Sequence, residues 1–197
     1  TLAGTITLVS GGATGDALLI QNDVTSVNGK ITLTSAEALT MDDLTTVQAT
    51  GTGIIEIDAA GTIQVSNVST GNTSATAMDI ATTVGGITDA DGTTTIDLTV
   101  GASGEITLTS VTGTEDLEVE TGALDVTTSG TGNVSISEIT DGLTVNSASI
   151  ADGSFTLTAA GTIDVLSVDT SGNDIDANDI TITASSGNIE VDTVTTG

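Results

Sequence analysis

Two short acidic runs are where this sequence could do chemistry. "DIDANDI" supplies Asp174, Asp176, Asn178 and Asp179, and "TDADGTTTID" supplies Asp89, Asp91 and, further on, Asp97. Alternating carboxylates beside a turn suit a hard cation such as Ca²⁺, which gathers about six to eight oxygen ligands. Ca²⁺ is the only cofactor these residues suggest. Neither run completes an EF-hand loop or the glycine-rich nonapeptide that holds Ca²⁺ in other β-solenoids. The plainer reading, that both runs are solvated corners, stands beside the calcium reading. "MDDLTT", with Asp42 and Asp43, reads as a turn.

The rest of the chain offers little to a reaction. It has no His and no Cys, and its single basic residue is Lys30. Imidazole acid–base work and Ser–His or Cys–His nucleophiles are excluded. Carboxylate pairs remain, and two of them could in principle hydrolyse a glycosidic bond. Such an enzyme also needs aromatic platforms and basic residues to grip sugar, and here there are one Phe and one Lys. The chain therefore reads as non-catalytic, with a carbohydrate-active enzyme as the reading to exclude.

What must position these residues is a narrow, layered scaffold. The 197 residues are 37% hydrophobic, with one Phe, no Trp and no Tyr. A core without aromatics is built from Ile, Val, Leu and Ala, each of which buries less than an aromatic ring does. Thr is abundant, as suits a pleated, half-exposed surface. Proline is absent, so no ladder N–H is lost to it. The 27 acidic residues leave a net charge of −26. That excludes nucleic acid and anionic membrane surfaces as partners, because both require Lys and Arg. It also invites counter-ions. Positive mean hydropathy and regularly recurring β-branched residues argue for order despite the charge.

One short strand recurs. "GTITLVS" starts at Gly4, "GKITLTS" at Gly29, "GEITLTS" at Gly104 and "GSFTLTA" at Gly153, at steps of 25, 75 and 49 residues. "GIIEID", "AMDIAT", "GNVSIS" and "NDITIT" fill the missing multiples. The apolar pairs run Ile6/Leu8, Ile31/Leu33, Ile55/Ile57, Met78/Ile80, Ile106/Leu108, Val134/Ile136, Phe155/Leu157 and Ile180/Ile182, each with a polar residue between. This is period 2, apolar inward and polar outward. A second face runs through Ile63/Val65, Leu117/Val119, Leu143/Val145, Ile163/Val165 and Ile189/Val191. A third, weaker one runs through Val24, Leu44, Ile96/Leu98, Leu124/Val126 and Val168 or Ile175. The gaps are too short and too rich in Gly, Thr, Ser and Asp for the helices that ordinary parallel sheets need. The spacing predicts a parallel β-helix, residues 1–197 forming one domain of about eight coils of about 25 residues. The alternative is an antiparallel β-sandwich, which needs no fixed period between strands.

The stretches "GKITLTSAEALT", "GEITLTS", "GSFTLTAAGTIDV" and "GNIEVDTV" resemble the repeats of filamentous-haemagglutinin-like proteins and related giant bacterial surface adhesins. The resemblance extends over the whole chain. It implies a right-handed parallel β-helix, secretion to the cell surface, and a role as the shaft of an adhesin or filament. The coil here looks longer than that family's, and Asp is used where the family uses Asn.

The chain opens on "TLAGTITLVS" and closes on "VDTVTTG", both in mid-pattern. An uncapped β-helix exposes strand edges that associate unless covered. The expected partner is therefore the chain itself, stacked head to tail, or further coils. The expected function is an extracellular structural filament or adhesin shaft. A ligand-binding adhesin module recognising a cell-surface partner is the second expectation.

Overall fold

Alternating aliphatic and polar residues dictate strands that bury one edge of the pleat, and all-β structure is what forms. The computed structural model describes residues 4–11, 15–92, 95–172 and 178–197. Among them there is no helix, hence none long and apolar enough to cross a membrane. The first four coils each contribute three strands. They are β1 (Ile6–Ser10), β2 (Leu18–Ile20) and β3 (Val24–Ser26); β4 (Ile31–Ser35), β5 (Leu39–Met41) and β6 (Thr46–Ala49); β7 (Ile55–Ala59), β8 (Ile63–Val65) and β9 (Asn67–Thr70); and β10 (Met78–Thr82), β11 (Ile87–Asp89) and β12 (Leu98–Thr99). Longer strands follow: β13 (Glu105–Ser110), β14 (Thr114–Glu120), β15 (Ala123–Thr131), β16 (Val134–Glu138), β17 (Leu143–Asp152) and β18 (Phe155–Ala159). The last coils carry β19 (Ile163–Val165), β20 (Val168–Thr170), β21 (Ile180–Ala184), β22 (Ile189–Val191) and β23 (Val194–Thr196).

Among the described residues every strand pairing is parallel, and strands pair with their equivalents one coil away. The result is a parallel β-solenoid of about eight turns, not a sandwich. Four ladders, apolar except at Thr114 and Glu138, run along the described residues. One reads Ile6, Ile31, Ile55, Met78, Ile106, Leu124, Val145, Val165, Val191. Its companion reads Leu8, Leu33, Ile57, Ile80, Leu108, Val126, Ala148, Val168, Val194. Across the core runs Leu18, Leu39, Ile63, Ile87, Thr114, Val134, Phe155, Ile180. The fourth is Val24, Val47, Val68, Leu98, Val119, Glu138, Ala159, Ala184. Aliphatic side chains meet like side chains one coil away, so bulk is supplied by stacking and a single Phe suffices.

The repeat copies do not all share one face, as their spacing predicts. Those at Ile6, Ile31, Ile55, Met78 and Ile106 stack, but those at Val134, Phe155 and Ile180 lie on the other sheet. The cause is a change of coil length. Met78 pairs with Ile106, 28 positions on, whereas Ile106 pairs with Leu124, 18 positions on. A long coil followed by a short one shifts the motif from one sheet to the other.

The same transition rearranges the faces. β14 is long enough to pair with β11 through Thr114 and Glu115 and with β12 through Val119 and Glu120, fusing two faces of the earlier coils. A bend at Asp116, at φ 56°, takes up the corner. On the opposite side the single face of the early coils divides, because β17 pairs with both β19 and β20. Leu44, expected on the third face, sits instead at an exposed turn with φ 64°, and Val47 takes the ladder position.

Small residues close the corners. Gly29 and Gly53 sit one above the other before β4 and β7, and a Cβ on Gly53 would run into the Gly29 carbonyl oxygen. Buried hydroxyls tie adjacent turns to carbonyls: Ser26 Oγ donates to the Gly4 oxygen at 2.7 Å and Thr70 Oγ1 to the Gly53 oxygen at 2.6 Å. Thr and Ser are therefore used inside the corners as well as in the expected outward rows.

Candidate metal centre

The fused corner gathers three carboxylates. Asp89 ends β11, Asp97 immediately precedes β12, and Glu118 lies in β14 just past the bend. β14 of the next coil pairs with both β11 and β12, so Glu118 lies between the strands that carry Asp89 and Asp97. One carboxylate oxygen from each lies within 4.8 Å of the others. Asp97 is 1% exposed, and Asp89 and Glu118 are half-buried.

Their positions in the ladders explain the crowding. Asp89 pairs with Val65, a buried core residue, so a carboxylate stands where the previous coil has an aliphatic side chain. Asp97 repeats a device seen earlier in the chain. Asp23, just before β3, accepts the Thr46 N–H of the next coil through Oδ1 at 2.9 Å. Asp97, just before β12, accepts the Glu118 N–H through Oδ2 at 2.9 Å. Asp23 is exposed, whereas Asp97 is enclosed. The main chain locks the pair further: the Asp97 N–H donates to the Glu118 oxygen at 2.9 Å and the Val68 N–H to the Asp97 oxygen at 2.7 Å.

The hydrogen bonding is half complete. Asp89 Oδ1 accepts the Asp91 N–H at 2.7 Å. Asp89 Oδ2, Asp97 Oδ1 and Glu118 Oε2 are buried and have no hydrogen-bond partner, and they are the side-chain polar atoms of which this holds among the described residues. Glu138 shows what a satisfied buried carboxylate looks like in this fold. It is 2% exposed, its Oε1 accepts from Thr140 N and Oγ1 at 3.2 and 2.7 Å, and its Oε2 accepts from Asp141 N at 2.8 Å.

Burial pushes the Asp97 carboxyl up to about 8, against the hydrogen bond from the Glu118 N–H, and repulsion from Asp89, Glu118 and Asp91 adds to the rise. Glu118 is raised as well, by burial first and then by Asp89. Such a cluster has two ways to relieve its charge, a proton held between carboxylates or a bound cation.

Of the residues singled out in the sequence, Asp89 and Asp97 belong to this cluster. Asp91 contributes its N–H to Asp89 and its charge to the field, but its carboxylate is outside the 4.8 Å group. Asp174 and Asp176 lie outside the described residues. Asn178 is buried, its Oδ1 accepts the Gly153 N–H at 2.9 Å, and its carbonyl accepts Thr170 Oγ1 at 2.9 Å. Asp179 is exposed, and its main chain accepts the Phe155 N–H. Glu118 was not legible as a partner. The signal that finds it is the register Leu98 to Val119, which places Glu118 against Asp97.

Elsewhere the acidic coat is spread along outward rows. Lys30 pairs with Glu56 of the next coil, Nζ to Oε2 at 2.7 Å. Burial raises the nearby Asp58 and Asp79, and repulsion among Glu56, Asp58 and Asp79 adds to it. No protein-family model, curated protein or solved structure matches this chain.

Proposed function

We propose that this chain is a structural, non-catalytic solenoid whose coils stack end to end, making an extracellular filament or the shaft of a surface adhesin. The observation that carries this is the last coil. Ile189, Val191 and Val194 are 42%, 50% and 43% exposed, yet they occupy the ladder positions that Ile163, Val165 and Val168 fill with no exposure one coil earlier. Their surface has the chemistry of an internal coil interface. Another coil, from this chain or a second copy, is what that surface fits. A contact of one end on the other is heterologous and grows as an open rod.

The carboxylates that converge support a non-catalytic reading. The central one, Asp97, is enclosed by protein, whereas a glycosidase presents its carboxyls to sugar in a groove. The acidic surface keeps a long rod soluble and opposes lateral clumping. Extracellular placement rests on the resemblance to surface adhesins.

Sedimentation of the full chain over a range of concentrations tests the stacking. End-to-end growth raises the mean mass with concentration, and Val191→Asp, which puts a charge into the end face, abolishes that growth while circular dichroism still reports folded β-structure. A wild-type chain that remains monomeric at every concentration contradicts the proposal.

A further inference from the structure

We propose that the carboxylates of Asp89, Asp97 and Glu118 form a binding site for one hard divalent cation of the Ca²⁺ class, which clamps two successive coils where two faces of the solenoid fuse. Oxygens bound to one Ca²⁺ at about 2.3–2.6 Å are at most about 5 Å apart. One oxygen from each of these three residues meets that condition. Among the described residues, the buried side-chain oxygens left without a partner all belong to the same three residues, and Asp97 is 1% exposed. A protein that satisfies both oxygens of Glu138 with hydroxyl and main-chain donors leaves these three facing one another. The donor set is all oxygen and carries three negative charges, which selects a hard cation over a soft transition metal. No basic side chain competes: Lys30 is engaged with Glu56.

The site joins two levels of the rod. Asp89 and Asp97 belong to the coil of β10 to β12, and Glu118 to the coil beyond. A cation there replaces repulsion between coils with three shared bonds.

The test is calorimetric titration of the chelator-stripped full chain with CaCl₂ at pH 7.5, alongside thermal melts. One saturable site is expected, and Ca²⁺ at a hundredfold excess over Kd raises Tm by about 5–10 °C. Asp97→Asn and Glu118→Gln each weaken binding at least tenfold. Glu190→Gln, which removes an exposed charge on the last coil, leaves it unchanged and controls for the general attraction of an acidic protein for cations. Without Ca²⁺, Asp97→Asn melts no lower than wild type, because it replaces an acidic group crowded by Asp89 and Glu118 with a neutral amide of the same shape, so loss of the Ca²⁺ response is separable from loss of the fold. Absence of a saturable site, or variants that respond to Ca²⁺ as wild type does, overturns the proposal and leaves a shared proton as what relieves the cluster.

Discussion

At the scale of single residues, the molecule depends on what stacks one coil above another. Ile57 lies in an unbroken apolar ladder between Leu33 and Ile80 and has no exposure. Ile57→Ala should cost about 3 kcal/mol in denaturant unfolding, the loss of transfer energy plus a cavity that rigid neighbouring coils cannot close. Gly53 carries a different constraint. A methyl group there meets main chain, not a movable side chain, so Gly53→Ala should destabilise by about 2 kcal/mol. Much of this was visible in the sequence. The pairs at Ile31/Leu33 and Ile55/Ile57 announce their inward positions by alternation, and the glycines before them mark the corners. The buried roles of Ser26 and Thr70 were not legible, because a hydroxyl inside a corner and a hydroxyl on an outward row look alike until the carbonyl it bonds to is known.

At the scale of strands, register decides which charges meet. Glu105 opens β13, and Asp125 lies on β15 of the next coil, one diagonal step away. Burial, a hydrogen bond to Asp125 and repulsion from Asp125 push the Glu105 carboxyl from its ordinary 4.5 up to about 7. The folded chain therefore holds this proton over a pH range in which the unfolded chain has lost it. Stability is unaffected by the group below its ordinary value and falls as pH rises from about 4.5 to about 7. Glu105→Gln should flatten that part of the stability–pH profile, measured by thermal melts at closely spaced pH values. A profile unchanged by the substitution contradicts the shared proton. The elements themselves followed from period-2 patterning, but the assignment of Val134, Phe155 and Ile180 to the other sheet did not. A repeat read as a uniform period conceals a 28-residue step followed by one of 18, and only the strand pairing exposes it. Glu118 was hidden for the same reason, since its meeting with Asp97 depends on that local change.

At the scale of the whole molecule, the first ladder climbs through nine strands at about 4.8 Å each, a rod of roughly 40 Å. Its stiffness comes from continuous main-chain hydrogen bonding between coils and from aliphatic stacks that leave no layer free to slide. The overall architecture was legible because repetition, absent aromatics and abundant Thr all point to one fold. The proposed stacking turns on the last coil, where Ile189, Val191 and Val194 expose the kind of surface that earlier coils bury. Electron microscopy with diffraction from the purified chain, at concentrations where sedimentation detects growth, tests this most directly. The account predicts thin single-file fibres with a layer spacing of about 4.8 Å along the fibre axis. Compact, monodisperse particles with no axial repeat would contradict it.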